Sequence, residues 1–232
     1  MTHSSIFGAK RIVVTGAHHL SRAEVLDAAG LHRTTNLLWV DPAAVEDSLE
    51  SNPWVAEATV TRSLPSTMRI AVTERRPAST TVVGSTWFVV ASDGTVLGPS
   101  HGRPHLPVLP SAEAVSVGGR SAALTVSARI AGGMTPWLRS RVATVGPGPD
   151  GTIELGLDDG VRVLFGPATD IRAKGQALVG ILHWAQDQHD RLATIDVRSP
   201  VAPSAVPFAS IEPDPVPPTH YAAINGTGEV ST

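Results

Sequence analysis

The chain has 232 residues, a formal net charge of −3, 42% hydrophobic but only 4% aromatic residues, and no cysteine. Such a length suits one large or two small domains with cores filled mainly by aliphatic side chains. The interspersed charges offer no basic field to nucleic acid, and the lack of cysteine excludes disulfides, thiolate catalysis and Cys-based zinc sites.

Residues 11–15 (RIVVT) read as a short strand ended by Gly16. Ser21 followed by Glu24 is a capping box that satisfies two orphan donors at a helix start. The helix it opens carries Val25, Leu26, Ala28 and Ala29 and stops at Gly30, a residue suited to a left-handed C-terminal cap. Asp41 caps a second helix with Pro42 at its first position, where the missing N–H is harmless. Two alternating runs follow, residues 54–62 and 68–74, around a turn containing Leu64, Pro65, Ser66 and Thr67. Ala56, Ala58 and Val60 are expected on one face of the first run, and Met68, Ile70 and Val72 on one face of the second. That pattern predicts a β-hairpin with one buried face. The order β-α-α-β-β gives a three-stranded sheet covered by two helices.

Further on, residues 86–91 read as a strand running into the turn Asp93-Gly94, then Val96-Leu97. A helical stretch is expected around residues 121–130. The strands at 141–145, 152–157 and 161–165 follow, the last two meeting at the hairpin turn Asp158-Asp159-Gly160. A long helix over about residues 170–189 carries Ile171, Ala177, Leu178, Ile181, Leu182 and Ala185 on a helical repeat. A final strand spans residues 193–198. Past Pro200 the sequence is dense in proline, and that stretch is expected to be extended or disordered, without ladders or helices.

These elements resemble a known family. The residues that carry the likeness are Val14-x-Gly16, NLLWVD at 36–41, NPWV at 52–55, and R-x-x-P-x-x-x-x-I-x-V-x-E-R-x-P from Arg62 to Pro77. They look like the POTRA domain of FtsQ/DivIB, bacterial cell-division proteins. Leu106-Pro107-Val108-Leu109, Lys174 and Ile195-Asp196-Val197 continue the resemblance into a second domain. The fold class it implies is α+β, a β-α-α-β-β POTRA domain followed by a mostly antiparallel β domain with flanking helices. The domains would be a juxtamembrane-like connector at 1–10, a POTRA domain at 11–76, an FtsQ-type β domain at 77–199 and a Pro-rich tail at 200–232. Low aromatic content with abundant Ala, Val, Pro and Gly suggests an actinobacterial source.

Members of that family are single-pass proteins with an extracytoplasmic POTRA and β domain at the division septum. This sequence has no signal peptide and no run of 18 or more apolar residues, so it is expected to be a soluble ectodomain without its anchor. The resemblance implies a non-enzymatic divisome scaffold that binds FtsB-like and FtsL-like partners and coordinates septal peptidoglycan synthesis. Other divisome components would dock on the POTRA domain. A sheet edge offered to a partner strand is the means. On this chain the edge maps to Thr194, Ile195, Asp196, Val197, Arg198 and Ser199, with Arg198 placed for a charge-assisted contact to a partner carboxylate. The alternative is a secretion or outer-membrane assembly protein whose POTRA unit binds extended clients, which leads to tandem units and a barrel.

No cofactor, metal or small-molecule substrate is expected. Residues 146–151 formally match G-x-G-x-x-G, but a strand follows where a phosphate-binding helix N-terminus is required, so the segment reads as a turn. His18-His19 and the pair His101 and His105 lack further ligands at metal spacing and read as loop histidines, and His183 with Asp187, with His189 and Asp190 beyond, reads as a solvated helix end rather than an adventitious metal site. Trp39 and Trp54 are expected between the POTRA helices and sheet, Trp184 in the core, and Glu74, Arg75 and Arg76 at an interdomain salt-bridge corner.

Overall fold

The computed structural model describes residues 11–32, 35, 39–63, 67–111 and 114–208. The first unit comprises β1 (Arg11–Thr15), α1 (Arg22–Ala28), α2 (Pro42–Glu50), β2 (Val55–Ser63) and β3 (Thr67–Glu74). Its sheet runs β1-β3-β2, with β1 parallel and β2 antiparallel to the central strand. The Ser21–Glu24 capping box forms as the sequence indicates. At the other end of α1, Gly30 adopts φ 63°, and the amides of Gly30 and Leu31 donate to Asp27 and Leu26 carbonyls, a Schellman closure. Val25, Val45, Leu49, Val60, Met68 and Ile70 form a buried core between helices and sheet.

Two residues depart from the expected pattern. Strict alternation points Ala56 inward, yet Ala56 is exposed and Val55 is wholly buried. The register shows why: Val55 opposes Glu74 while Glu57 opposes Thr73, so Ala56 is the extra residue of a β-bulge that flips the parity of the strand start. Trp39, expected in the core, is 87% exposed, whereas Trp54 is half-buried and stacks on His19 at 3.4 Å between ring centroids. The turn residues Leu64, Pro65 and Ser66 lie outside the described residues.

The second unit opens with a strand that the sequence did not announce, β4 (Pro77–Val83). Its polar residues Ser79, Thr80 and Thr81 are completely buried, which conceals it from a hydrophobicity pattern. The Thr81 hydroxyl donates to the Leu109 carbonyl at 2.9 Å, so burial leaves it satisfied. There follow β5 (Thr86–Ala91), β6 (Val96–Ser100), α3 (Ala122–Gly133), α4 (Pro136–Arg139), β7 (Val142–Pro147), β8 (Ile153–Leu157), β9 (Arg162–Leu164), α5 (Ile171–Gln188), β10 (Leu192–Asp196) and β11 (Ser204–Pro207).

The strands β4-β5-β6 form one meander and β7 to β11 a second sheet in chain order. The 106–109 segment joins them, with Val108 bridging in parallel to Thr80 on β4 and to Thr144 on β7. Thr80 N donates to Pro107 O at 2.8 Å and Val108 N to Ala143 O at 2.8 Å, so the segment is a structural seam. On one face, Leu124, Ile130, Leu138 and Leu178 from the helices meet Val145, Leu155, Val163, Ile195 and Val197 from the sheet region. Pairing is antiparallel except where β10 meets β9 and at the seam.

The corner between the units is built from charge. The Glu74 carboxylate accepts the amides of His19 and Leu20, both at 2.8 Å. Arg75 donates to the carbonyls of Pro53 and Val55 on one side and to Asp93 at 3.0 Å on the other. Asp93 also accepts from Arg120 at 2.6 Å. Arg76 contributes its carbonyl, which accepts from Ser92 N at 3.3 Å. Burial alone pushes the Glu74 and Asp93 carboxyls up. The amides of His19, Leu20 and His18 at Glu74, and Thr95 with Arg75 and Arg120 at Asp93, outweigh it and hold both below the ordinary range.

Candidate functional site

A protein that binds strands needs a free strand rim, and this fold has few. On β2 the outward amides of Ala58 and Val60 donate to Glu50 and Glu46 of α2, at 3.0 and 2.6 Å. On β6, Val96 exchanges bonds with Gly118 and Gly119. At the other end of the large sheet, β11 pairs with β10 on one side, and nothing among the described residues pairs with its other side.

The residues expected to form the edge therefore sit one strand inside it. Thr194, Ile195 and Asp196 pair with Arg162, Val163 and Leu164 of β9 on one side and with Val206, Ala205 and Ser204 of β11 on the other. Ile195 and Val197 are fully buried in the core. Asp196 is half-buried, while Arg198 and Ser199 are exposed. The Arg198 guanidinium folds back on Asp196, with Nη2 to Oδ2 at 2.6 Å and Nε to both carboxylate oxygens at 3.0–3.1 Å. Those bonds hold the Asp196 carboxyl below the ordinary range. Arg198 thus meets its carboxylate within the chain.

The strand that replaces them came from the segment expected to be free of ladders. Residues 200–203 turn, with Ala202 N donating to Ser199 O at 3.2 Å, and β11 returns antiparallel along β10. Its prolines fall where they cost least, Pro200 and Pro203 before the strand and Pro207 as its last residue. Ala205 faces the core, and Val206 is 45% exposed. The signal that could have revealed it is small, three residues between Pro203 and Pro207. Residues 209–232 lie outside the described residues.

The other sequence candidates resolve as structure. Within 146–151, Gly148 N donates to Thr152 O at 2.6 Å and Gly151 N to Gly148 O at 2.9 Å, so the amides that a phosphate would need instead close the β7–β8 turn. Among the described residues, no group of three or more His, Cys, Asp or Glu could hold a metal ion. Lys174 is buried, and its ammonium donates to the Pro167 carbonyl at 2.8 Å beside the Phe165 ring. Trp184, expected in the core, is 50% exposed on α5, while His183 meets the Trp137 ring edge-to-face at 4.9 Å. No helix among the described residues is long and apolar enough to cross a membrane.

Comparison with known proteins agrees with the division into two units. A family model for the POTRA domain, FtsQ-type, matches residues 7–75. A second, for the C-terminal part of cell division protein FtsQ/DivIB, matches residues 81–198. The cell division protein FtsQ of Mycobacterium tuberculosis is 30% identical over 196 residues, covering 84% of this chain and 60% of that protein. That of Mycobacteroides abscessus is 27% identical over 199 residues, covering 86% of this chain and 61% of that one. The chain thus spans less than two thirds of the length of these relatives. Among solved structures, the major extracytoplasmic domain of DivIB from Geobacillus stearothermophilus is similar with a TM-score of 0.35 and 17% identity, covering 49% of this chain and 92% of that one.

Proposed function

Because the chain belongs to the FtsQ/DivIB family of cell division proteins, we propose that it is a non-enzymatic divisome scaffold, working at the extracytoplasmic face of the membrane at the septum. In this reading it binds FtsB-like and FtsL-like division proteins and couples them to septal peptidoglycan synthesis. The observation that carries the reading is the exposed rim of β11, the outermost strand of the large sheet. A partner strand would add to β11, with Asp196, Arg198 and Ser199 beside it at the turn. Pairing directly with Thr194, Ile195 and Asp196 would require β11 to leave. A four-residue rim supplies few ladder bonds, so side-chain contacts must provide part of the affinity. The POTRA unit, held at a set angle by the Arg75–Asp93 corner, would carry a second docking surface.

Calorimetry with the extracytoplasmic segments of the same organism's FtsB-like and FtsL-like proteins tests this. Ala205→Pro, which removes the one outward-facing amide of β11, and Arg198→Glu run in parallel, each checked for folding by circular dichroism. Binding lost in Ala205→Pro places the partner on the rim of β11. Loss only in Arg198→Glu places it on the turn. No heat with either segment at about 100 µM, far above a typical specific dissociation constant, refutes the partner assignment.

A further inference from the structure

The sheet of the first unit has two outer strands, β1 and β2, and they are finished differently. On β2, Glu50 and Glu46 accept the outward amides of Ala58 and Val60. On β1, nothing among the described residues pairs with the side away from β3. The register fixes which groups lie on that side. Because Ala58 and Val60 point out of β2, Thr59 and Thr61 point in, toward Ala71 and Arg69 of β3. Ile70 and Val72 therefore turn their bonding groups to β1, where they meet Val13 and Thr15. The amides and carbonyls of Ile12 and Val14 point outward. From that outer side the Arg22 guanidinium donates to Ile12 O at 2.9 Å. The Ile12 amide and both outward groups of Val14 have no partner among the described residues.

The charge around this rim is one-sided. Arg11 stands on the open face of the sheet, as does Arg69, which lies opposite Val13. Arg22 reaches the rim from the first position of α1. All three are exposed, and among the described residues none has a carboxylate within ion-pair distance. Glu24, close to Arg22 in sequence, is committed to the Ser21 amide at 2.7 Å. On the helix side Ile12 and Val14 sit half-buried at the margin of the core.

We propose that β1 is a docking edge for an extended partner segment that alternates acidic and aliphatic residues. This locates the POTRA docking surface of the scaffold reading, and rests on that reading for the existence of a natural partner. The added strand bonds Ile12 and Val14, and its aliphatic residues complete the burial of those two side chains. Its acidic residues fall on the open face, one strand spacing from Arg11 and two, about 10 Å, from Arg69. That distance is within the screening length at about 0.1 M salt. Arg22, anchored on Ile12 O, offers its other donors to a carboxylate at the end of the segment. Three free ladder groups are few, so the ion pairs supply selection as well as affinity. A second copy of β1 is a poor occupant, because it would gather Arg11 and Arg22 of both chains on one short ladder.

The probe is a capped peptide, Glu-Val-Glu-Val-Glu-Val-Glu, with Lys replacing Glu in its counterpart. Each is titrated at low salt into the isotope-labelled full chain and followed by amide NMR. Docking predicts that hydrogen exchange at Ile12 and Val14 slows about tenfold or more at saturation with the acidic peptide, while Ala58, Val60 and β11 do not change. Arg11→Glu with Arg22→Glu should weaken that peptide about tenfold or more and accept the lysine peptide in its place. The fold tolerates this pair, since Arg11 is exposed and an acid in the first turn of α1 suits the helix dipole. Val14→Pro, which removes one outward amide, should weaken the acidic peptide by a similar factor; if that variant does not fold, the charge swap decides alone. No binding at about 1 mM, equal binding of both peptides to the parent chain, or changes centred away from β1 overturns the proposal. The calorimetry on β11 uses neither peptide, so this docking edge and the FtsB-like and FtsL-like partner assignment fail separately.

Discussion

Removing the Asp93 carboxylate should loosen the corner between the two units. Asp93 holds Arg75, whose side chain is 14% exposed, and Arg120, whose side chain is 54% exposed. The Arg120 contact is a surface pair and contributes under about 0.5 kcal/mol. The Arg75 contact is a charge-assisted bond to a largely buried guanidinium, and breaking it leaves that charge with only the Pro53 and Val55 carbonyls. About 1–2 kcal/mol is expected from it, discounted because the Asp93 side chain is itself 38% exposed. Asp93→Ala should therefore cost roughly 2 kcal/mol in urea denaturation. A double-mutant cycle with Arg75→Ala should return about 1–2 kcal/mol of coupling. Because the two units have separate cores, the second consequence is geometric, a change in their relative orientation measurable by residual dipolar couplings. Coupling below about 0.3 kcal/mol, together with an unchanged orientation, would refute the claim that this corner sets the angle.

Gly94 has φ 85°, and a Cβ there would lie 2.4 Å from Thr125 Oγ1 and 2.8 Å from Thr125 Cα, so Gly94→Ala should destabilise by about 2–4 kcal/mol in thermal or urea unfolding. Ile195→Ala, in the core, should cost about 3 kcal/mol, while Val206→Ala on the half-exposed rim should cost under about 1 kcal/mol; equal losses would contradict the placement of β11. Glu74, Asp93 and Asp196 all have depressed carboxyl pKa values, so their stabilisation is complete above the ordinary carboxylate range and is lost as pH falls through the lower folded values. The urea midpoint should accordingly be flat from pH 7 to about 5 and fall below about pH 4, with a shallower fall in Glu74→Gln. Glu46→Ala with Glu50→Ala should free the β2 amides and promote self-association, readable by light scattering.

The POTRA unit was legible because its signals are local. A capping box, an N-terminal Asp-Pro and two alternating runs each act within a few residues, and the helices and hairpin appear where those signals stand. Failures arose where a side chain's fate depends on something distant. One bulge residue reversed Ala56 and Val55, and Trp39 stays exposed although its neighbours in sequence carry a family motif. β4 was hidden because its buried threonines find acceptors on the 106–109 segment nearly thirty residues away.

The residues that the sequence reads as a sheet edge lie one strand inside it, between β9 and β11. Ile195 and Val197 do alternate into the core, and Arg198 does meet a carboxylate, but that carboxylate is Asp196. The composition after residue 200 argued against a ladder because proline cannot donate, and only the register of residues 204–207 on β10 shows that the prolines fall outside the bonds that matter. Sequence by itself determined the elements with local signals, the family and the two-unit order, since capping, alternation and turn chemistry are short-range, while β4 and β11 escaped it. Tertiary structure decided which rims are free, β11 in the large sheet and β1 in the small one among the described residues, because whether a strand is an edge depends on what lies beside it, a property no single strand's residues encode.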